Sequence, residues 1–160
     1  MGSRPKTEEL AYIAGFLDGD GSLMLQIKRR KDGKLGWRFM FTICFYQDSR
    51  HEKPLYWIRE KLQIGYISKR NDGITELRIN GYKQARDILE LLLPFVRFKK
   101  PQAEAVYRAA SLLVQNSVTE LSKRARRNLL NWMLQVQSNN YVTRRKKTRT
   151  ELEKILGLTP

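Results

Sequence analysis

Acidic side chains are scarce in this 160-residue chain: 16 Asp and Glu stand against 31 Lys and Arg, a formal net charge of +15. Self-repulsion on that scale is tolerated when a polyanion neutralises it, so nucleic acid is the first partner to consider and an anionic membrane the second. Long apolar runs are lacking. Leu91-Leu92-Leu93 is typical, far below the roughly 20 residues that span a bilayer. Residues 1–6 have no apolar core of the kind a signal peptide needs. Cysteine occurs once, as Cys44, which excludes an internal disulfide and any cysteine-based zinc cluster and suggests an intracellular setting. Repeats and low-complexity linkers are also missing. What remains is 41% hydrophobic and 29% charged, enough to bury a core and unlike a disordered chain, and its length fits a single domain over residues 1–160.

Periodicity then orders the elements. Thr7 is placed to cap a helix with Glu8 and Glu9 in its first turn, where the dipole favours acids. This helix is expected to run to about Asp18 and to be stopped by Gly19 and Gly21. Leu23, Leu25 and Ile27 alternate with Met24, Gln26 and Lys28, and Phe39, Phe41, Ile43 and Phe45 alternate with Arg38, Met40, Thr42, Cys44 and Tyr46. Both patterns read as strands, with the turn at Asp32-Gly33. A helix over about 54–62, strands near 65–70 and 74–80 around Asn71-Asp72-Gly73, and a helix over 82–93 follow. Further helices are expected over 101–115, 119–137 and 148–156. One four-stranded antiparallel sheet with helices on one face satisfies this order, an α+β chain with a core of about 7–118 and a helical C-terminal extension of about 119–160.

The face of that sheet turned away from the helices carries Met24, Gln26, Lys28 and Arg30, then Arg38, Met40, Thr42, Cys44 and Tyr46, then Tyr66, Ser68 and Arg70, then Glu76, Arg78 and Asn80. These residue types read base edges: Arg and Lys on guanine, Gln and Asn on adenine, apolar groups on the thymine methyl. An ordinary solvated sheet face has a similar composition. Alternation does not separate the two readings, and the net charge leans toward DNA.

The segment Ile13-Ala14-Gly15-Phe16-Leu17-Asp18-Gly19-Asp20-Gly21 is the most informative. Gly15 and Gly19 lie four apart, a spacing that lets two helix backbones approach closely. Asp18 and Asp20 fall at the partly negative end of the helix, where a basic group or a metal ion must offset them. Carboxylate oxygens suit Mg²⁺. A plain turn with Asp caps and flexible glycines is the simpler reading of these residues.

These nine residues resemble the LAGLIDADG motif of homing endonucleases. Ala14, Gly15, Asp18, Asp20 and Gly21 are identical to it, Ile13, Phe16 and Leu17 stay apolar, and Gly19 stays small. The element order also matches the αββαββα core of that family, so the resemblance covers nearly the whole chain and implies a saddle-shaped DNA-binding sheet. It further implies that Asp20, with the carbonyl of Gly19, binds the catalytic divalent metal (Mg²⁺, with Mn²⁺ or Ca²⁺ able to occupy the site). Ile13, Ala14, Gly15, Phe16, Asp18 and Gly19 are implied as the seam to a second copy, because a chain with one motif must pair with itself. Gln47 and Lys99 match the outer ring of polar and basic groups around the metals. The second basic position falls on His51, with Arg50 and Lys53 beside it, and this is the clearest departure from the family pattern. The implied activity is metal-dependent hydrolysis of both strands of a long near-palindromic duplex DNA, leaving 3′ overhangs.

Basic stretches at 29–34, 97–100, 123–127 and 144–149 are candidate phosphate contacts. An RNA maturase that assists intron splicing, and a non-cleaving DNA-binding regulator on the same fold, remain open. Both acids and the outer basic groups being present favours cleavage. A small basic RNA-binding protein of another fold accounts for the charge but not for the Asp-Gly-Asp-Gly helix end.

Overall fold

The computed structural model describes residues 4–140 and 145–159. Helix α1 (Thr7–Asp20) opens with Thr7 as its first helical residue rather than its cap. Glu9 does the capping: its Oε2 accepts the Lys6 N–H at 2.8 Å, satisfying a donor near the helix start. The helix does not stop at Asp18. It continues through Gly19 to Asp20 and passes directly into strand β1 (Gly21–Arg29). Gly21 makes that junction possible, since a Cβ there would lie 2.6 Å from Leu17 Cδ1 and 2.7 Å from the Leu17 carbonyl oxygen. Asp20 is therefore fixed where the helix meets the sheet, with no intervening loop.

Strand β2 (Trp37–Asp48) pairs antiparallel with β1, Gly21 opposite Phe45 and Arg29 opposite Trp37. The connection is not a two-residue turn at Asp32-Gly33 but the seven residues 30–36, closed by Arg30 N–H donating to the Gly36 carbonyl at 2.9 Å. Gly33 and Gly36 both have positive φ; a two-residue reading used only the first. A short 3₁₀ turn (Ser49–His51) leads to α2 (Lys53–Leu62). Strands β3 (Tyr66–Lys69) and β4 (Ile74–Asn80) follow, joined by the expected turn. The sheet order is β1-β2-β4-β3, antiparallel throughout.

Helices α3 (Tyr82–Leu92) and α4 (Lys100–Gln115) come next. The long helix expected from residue 119 instead begins later as α5 (Lys123–Asn139), after a 3₁₀ turn at Val118–Glu120. The Ser122 hydroxyl accepts the Ala125 N–H and so sets the true start. Helix α6 (Arg149–Ile155) is started by a reciprocal cap between Thr148 and Glu151. Arg144, part of the basic run at 144–149, lies outside the described residues.

The core joins one face of the sheet (Leu23, Leu25, Phe41, Ile43, Phe45, Leu77, Ile79) to Leu10, Ile13 and Leu17 of α1 and to the inner sides of α2 through α6. Among the described residues no helix is long and apolar enough to cross a membrane.

Candidate active site and nucleic-acid interface

The two acids at the end of α1 have opposite environments. Asp18 is saturated. Its Oδ2 accepts the backbone N–H groups of Arg97 (2.8 Å) and Phe98 (3.2 Å), and its Oδ1 accepts that of Lys99 (2.9 Å). Its carbonyl oxygen accepts a hydrogen bond from Lys99 Nζ at 2.5 Å. Asp20 is exposed and has no hydrogen-bond or ion-pair partner among the described residues. A carboxylate at the negative end of a helix is disfavoured, and among the described residues only Asp18 is compensated by hydrogen bonds. The exposed residues at this point, Gly19 and Asp20, offer a helix-end carbonyl and a carboxylate, hard oxygen donors of the kind suited to a divalent cation. Among the described residues no three His, Cys, Asp or Glu side chains gather into a cage.

Lys99 is buried, only 8% exposed. Burial pushes its ammonium below the ordinary lysine range, opposed by the charges of Asp18 and Asp20. That interaction places Lys99 within electrostatic reach of both acids. Gln47 is half-buried on β2, two residues beyond Phe45, which pairs with Gly21; the ladder thus aligns it with the end of α1. Its Oε1 accepts the Asp48 N–H. His51 ends the 3₁₀ turn and is exposed. Arg50 beside it closes on Asp48 through two side-chain bonds of 3.0 and 2.8 Å, whereas His51 and Lys53 have no ion pair among the described residues.

The seam expected along the motif needs correction. Ile13 and Ala14 are fully buried in the chain's own core, because they point about 100–200° around the helix from Gly15. Asp18 is occupied by the 97–99 segment, and Phe16 is half-buried against Phe45. Phe16 and Asp18 keep partial exposure, and the exposed residues of α1 are Thr7, Glu8, Ala11, Tyr12, Gly15, Gly19 and Asp20. Among the described residues a Cβ at either glycine would meet nothing within 4 Å, so no described contact explains their small size. Exposed Phe98 (68%), which follows Arg97 on the loop held by Asp18, was not anticipated; its only sequence signal was an aromatic inside a basic run.

The outer face of the sheet forms cross-strand rows. Lys28 pairs with Arg38, Gln26 with Met40, and Met24 with Thr42 and Asn80. Ser22 is in line with Cys44, Arg78 and Tyr66, and Tyr46 with Glu76 and Ser68. Thr42 and Cys44 have the expected orientation but are closed to solvent. They sit on a central strand flanked on both sides, and Thr42 donates its hydroxyl to Asn80 at 2.9 Å. Burial pushes the Cys44 thiol up to about 11. Glu76 is also buried; its carboxylate accepts a hydrogen bond from Arg70 (3.1 Å), which also pairs with Asp72, and lies 3.7 Å from the Arg78 guanidinium in a looser ion pair. Arg30 lies beyond β1 and is paired with Asp32. Met24, Gln26, Lys28, Arg38, Met40, Tyr46, Ser68, Arg70 and Arg78 keep surface exposure. Ser22 was missed; its hydroxyl is 3.0 Å from that of Tyr46. Also missed was a cleft of about 290 Å³ in which Arg145, Lys146 and Lys147 stand beside Met24, Gln26 and Lys28. The basic run was visible in the sequence, its position beside the β1 edge was not.

An acid-tipped helix thus feeds directly into a four-stranded antiparallel sheet whose outer face carries basic side chains. The family model for the LAGLIDADG endonuclease matches residues 13–101, and the chain belongs to this family. It is 34% identical over 98 residues to DNA endonuclease I-CvuI of Chlorella vulgaris, covering 61% of each chain. It is 26% identical over 156 residues to DNA endonuclease I-CreI of Chlamydomonas reinhardtii, covering 98% of this chain and 93% of that protein. The crystal structure of I-CvuI in complex with its target in the presence of 2 mM Ca superposes with a TM-score of 0.79 at 25% identity, over 96% of this chain and 98% of that one.

Proposed function

We propose that this protein is a site-specific homing endonuclease in which two copies pair through α1 and each cuts one strand of a long, near-palindromic DNA duplex. The observation that carries this reading is the unpartnered Asp20 carboxylate at the end of a helix whose Gly15 and Gly19 face is uncovered. Two-fold pairing along that face is isologous. It brings two Asp20 carboxylates and two Gly19 carbonyls together. Asp20 and Gly19 would hold Mg²⁺, which when bound supplies Lewis-acid polarisation of the phosphate and acidification of water.

The remaining work falls to side chains. Lys99, held by Asp18, offers its ammonium to the charge that develops on the attacked phosphate. Gln47 orients the attacking water. His51, free of the Asp48 pair that occupies Arg50, contacts the flanking phosphate. The exposed residues of the sheet face enter the major groove, where the guanidiniums of Arg70 and Arg78, both beside Glu76, read guanine edges. Cleavage leaves 3′ overhangs.

The test is cleavage-site selection: purified protein and Mg²⁺ act on a duplex library, and the new ends are sequenced. A single near-palindromic site with 3′ overhangs, lost on chelation, is expected. Specific binding with no cutting at any site would leave a regulator on this fold as the better account. Binding should also fall steeply with salt. If six or more phosphates are contacted, affinity drops by about 10³-fold or more between 50 and 200 mM salt, measurable by fluorescence anisotropy. A flat response would remove the basic surface from the interface.

A further inference from the structure

We propose that Asp18 is the positioning residue of the active site: its carboxylate fixes the 97–99 segment and its carbonyl oxygen holds the Lys99 ammonium, so that Lys99 is presented at the end of α1. The proposal rests on the nuclease reading for its consequence, but its geometry stands independently. Three consecutive backbone N–H groups, 79 to 81 residues away in sequence, converge on one carboxylate. The segment they come from links α3 to α4; the Lys99 carbonyl accepts the Ala103 N–H at 2.9 Å as α4 begins, but among the described residues the amides of 97–99 have no acceptor other than Asp18. Hydrogen bonds to an ionised acceptor are the strong kind, and here they also relieve an acid at the unfavourable end of a helix.

The arrangement separates the two motif acids. Both Asp18 oxygens are already taken by donors, which leaves them poorly placed to serve a cation. Asp20 lies about 200° further round the helix and takes none of those donors. Asp18 therefore acts through Lys99 and Asp20 acts directly. An Asn at position 18 retains one acceptor oxygen but turns an NH₂ group toward N–H donors, so the loop loses part of its hold. Ala retains none.

Asp18→Asn and Asp18→Ala are compared with the intact protein and with Lys99→Met on a cleavable duplex in Mg²⁺. kcat should fall in the order Asp, Asn, Ala, reaching a loss of about 10- to 100-fold, the usual scale for a misplaced catalytic group. KM and target binding should stay within about 2-fold, the small change expected when only an interaction in the transition state is removed. In the Lys99→Met background, Asp18→Asn should cause no further loss, because the residue through which it acts is gone. Additive losses would overturn the proposal, as would undiminished kcat in Asp18→Ala.

A second measurement needs no variant. In the intact protein the amides of Arg97, Phe98 and Lys99 should exchange slowly with deuterium despite lying in a loop. Exchange at the rate of an open chain would overturn the contact itself. If the intact protein cuts no duplex, the nuclease reading fails, while the amide protection still decides whether Asp18 holds the loop.

Discussion

Asp20→Asn is expected to abolish cleavage while leaving target binding within a few-fold of the parent. The carboxylate is exposed and unpartnered among the described residues, so the isosteric amide removes no internal contact. Losing a metal ligand removes several kcal/mol of transition-state stabilisation, about 10³-fold or more in rate. The same change relieves an acid at the negative end of α1, and should stabilise the fold by a few tenths to about 1 kcal/mol. The signature is thus double: higher melting temperature, no cutting. Nicking assays in Mg²⁺, anisotropy with labelled target and a thermal melt measure all three quantities. Cutting at the parental rate would dismiss Asp20 as the ligand, and loss of binding along with cutting would assign it a place in the DNA contact instead.

Gly15→Leu is the second. Glycine inside a helix costs about 1 kcal/mol relative to alanine, and no described residue lies within 4 Å of a Cβ at that position. The residue is intelligible only if another backbone approaches there. A leucine side chain should therefore leave the far-UV circular dichroism of the chain intact and yet prevent pairing. Sedimentation should show a monomer at concentrations where the parent is a dimer. Cleavage should fall by about 10²-fold or more, since removing one of two carboxylate donors is as damaging as removing the acid itself. A Leu variant that still dimerises and cuts would move the seam away from α1.

Much of this was legible in the sequence because it depends on local rules. A period of two placed the outer-face residues that lie within the strands on one side, though Arg30 and Arg70 fall just past the ends of β1 and β3, and the four-residue spacing of Gly15 and Gly19 marked an exposed side of α1. Depth was less legible. Orientation is a parity, but the burial of Thr42 and Cys44 depends on what flanks β2 on both sides, which the sequence of one strand does not contain. Ile13 and Ala14 illustrate a related error: neighbours in a motif are about 100° apart on a helix, and motif membership says nothing of facing. The bond between Asp18 and residues 97–99 spans some 80 positions and could be reached only through the fold. The start of α5 was missed for a local reason, since Ser122 begins the helix by offering its hydroxyl to the Ala125 amide.

The buried sulfur on β2 has a practical consequence. Cys44 is the sole thiol of the chain, fully enclosed, and pushed up to about 11, so at neutral pH both access and the reactive thiolate are withheld. Alkylating reagents can reach it only when the central strands part. Its labelling rate is therefore an internal clock for how often the sheet breathes, readable by mass spectrometry without any engineered probe. A duplex clamped across the same strands should slow that clock.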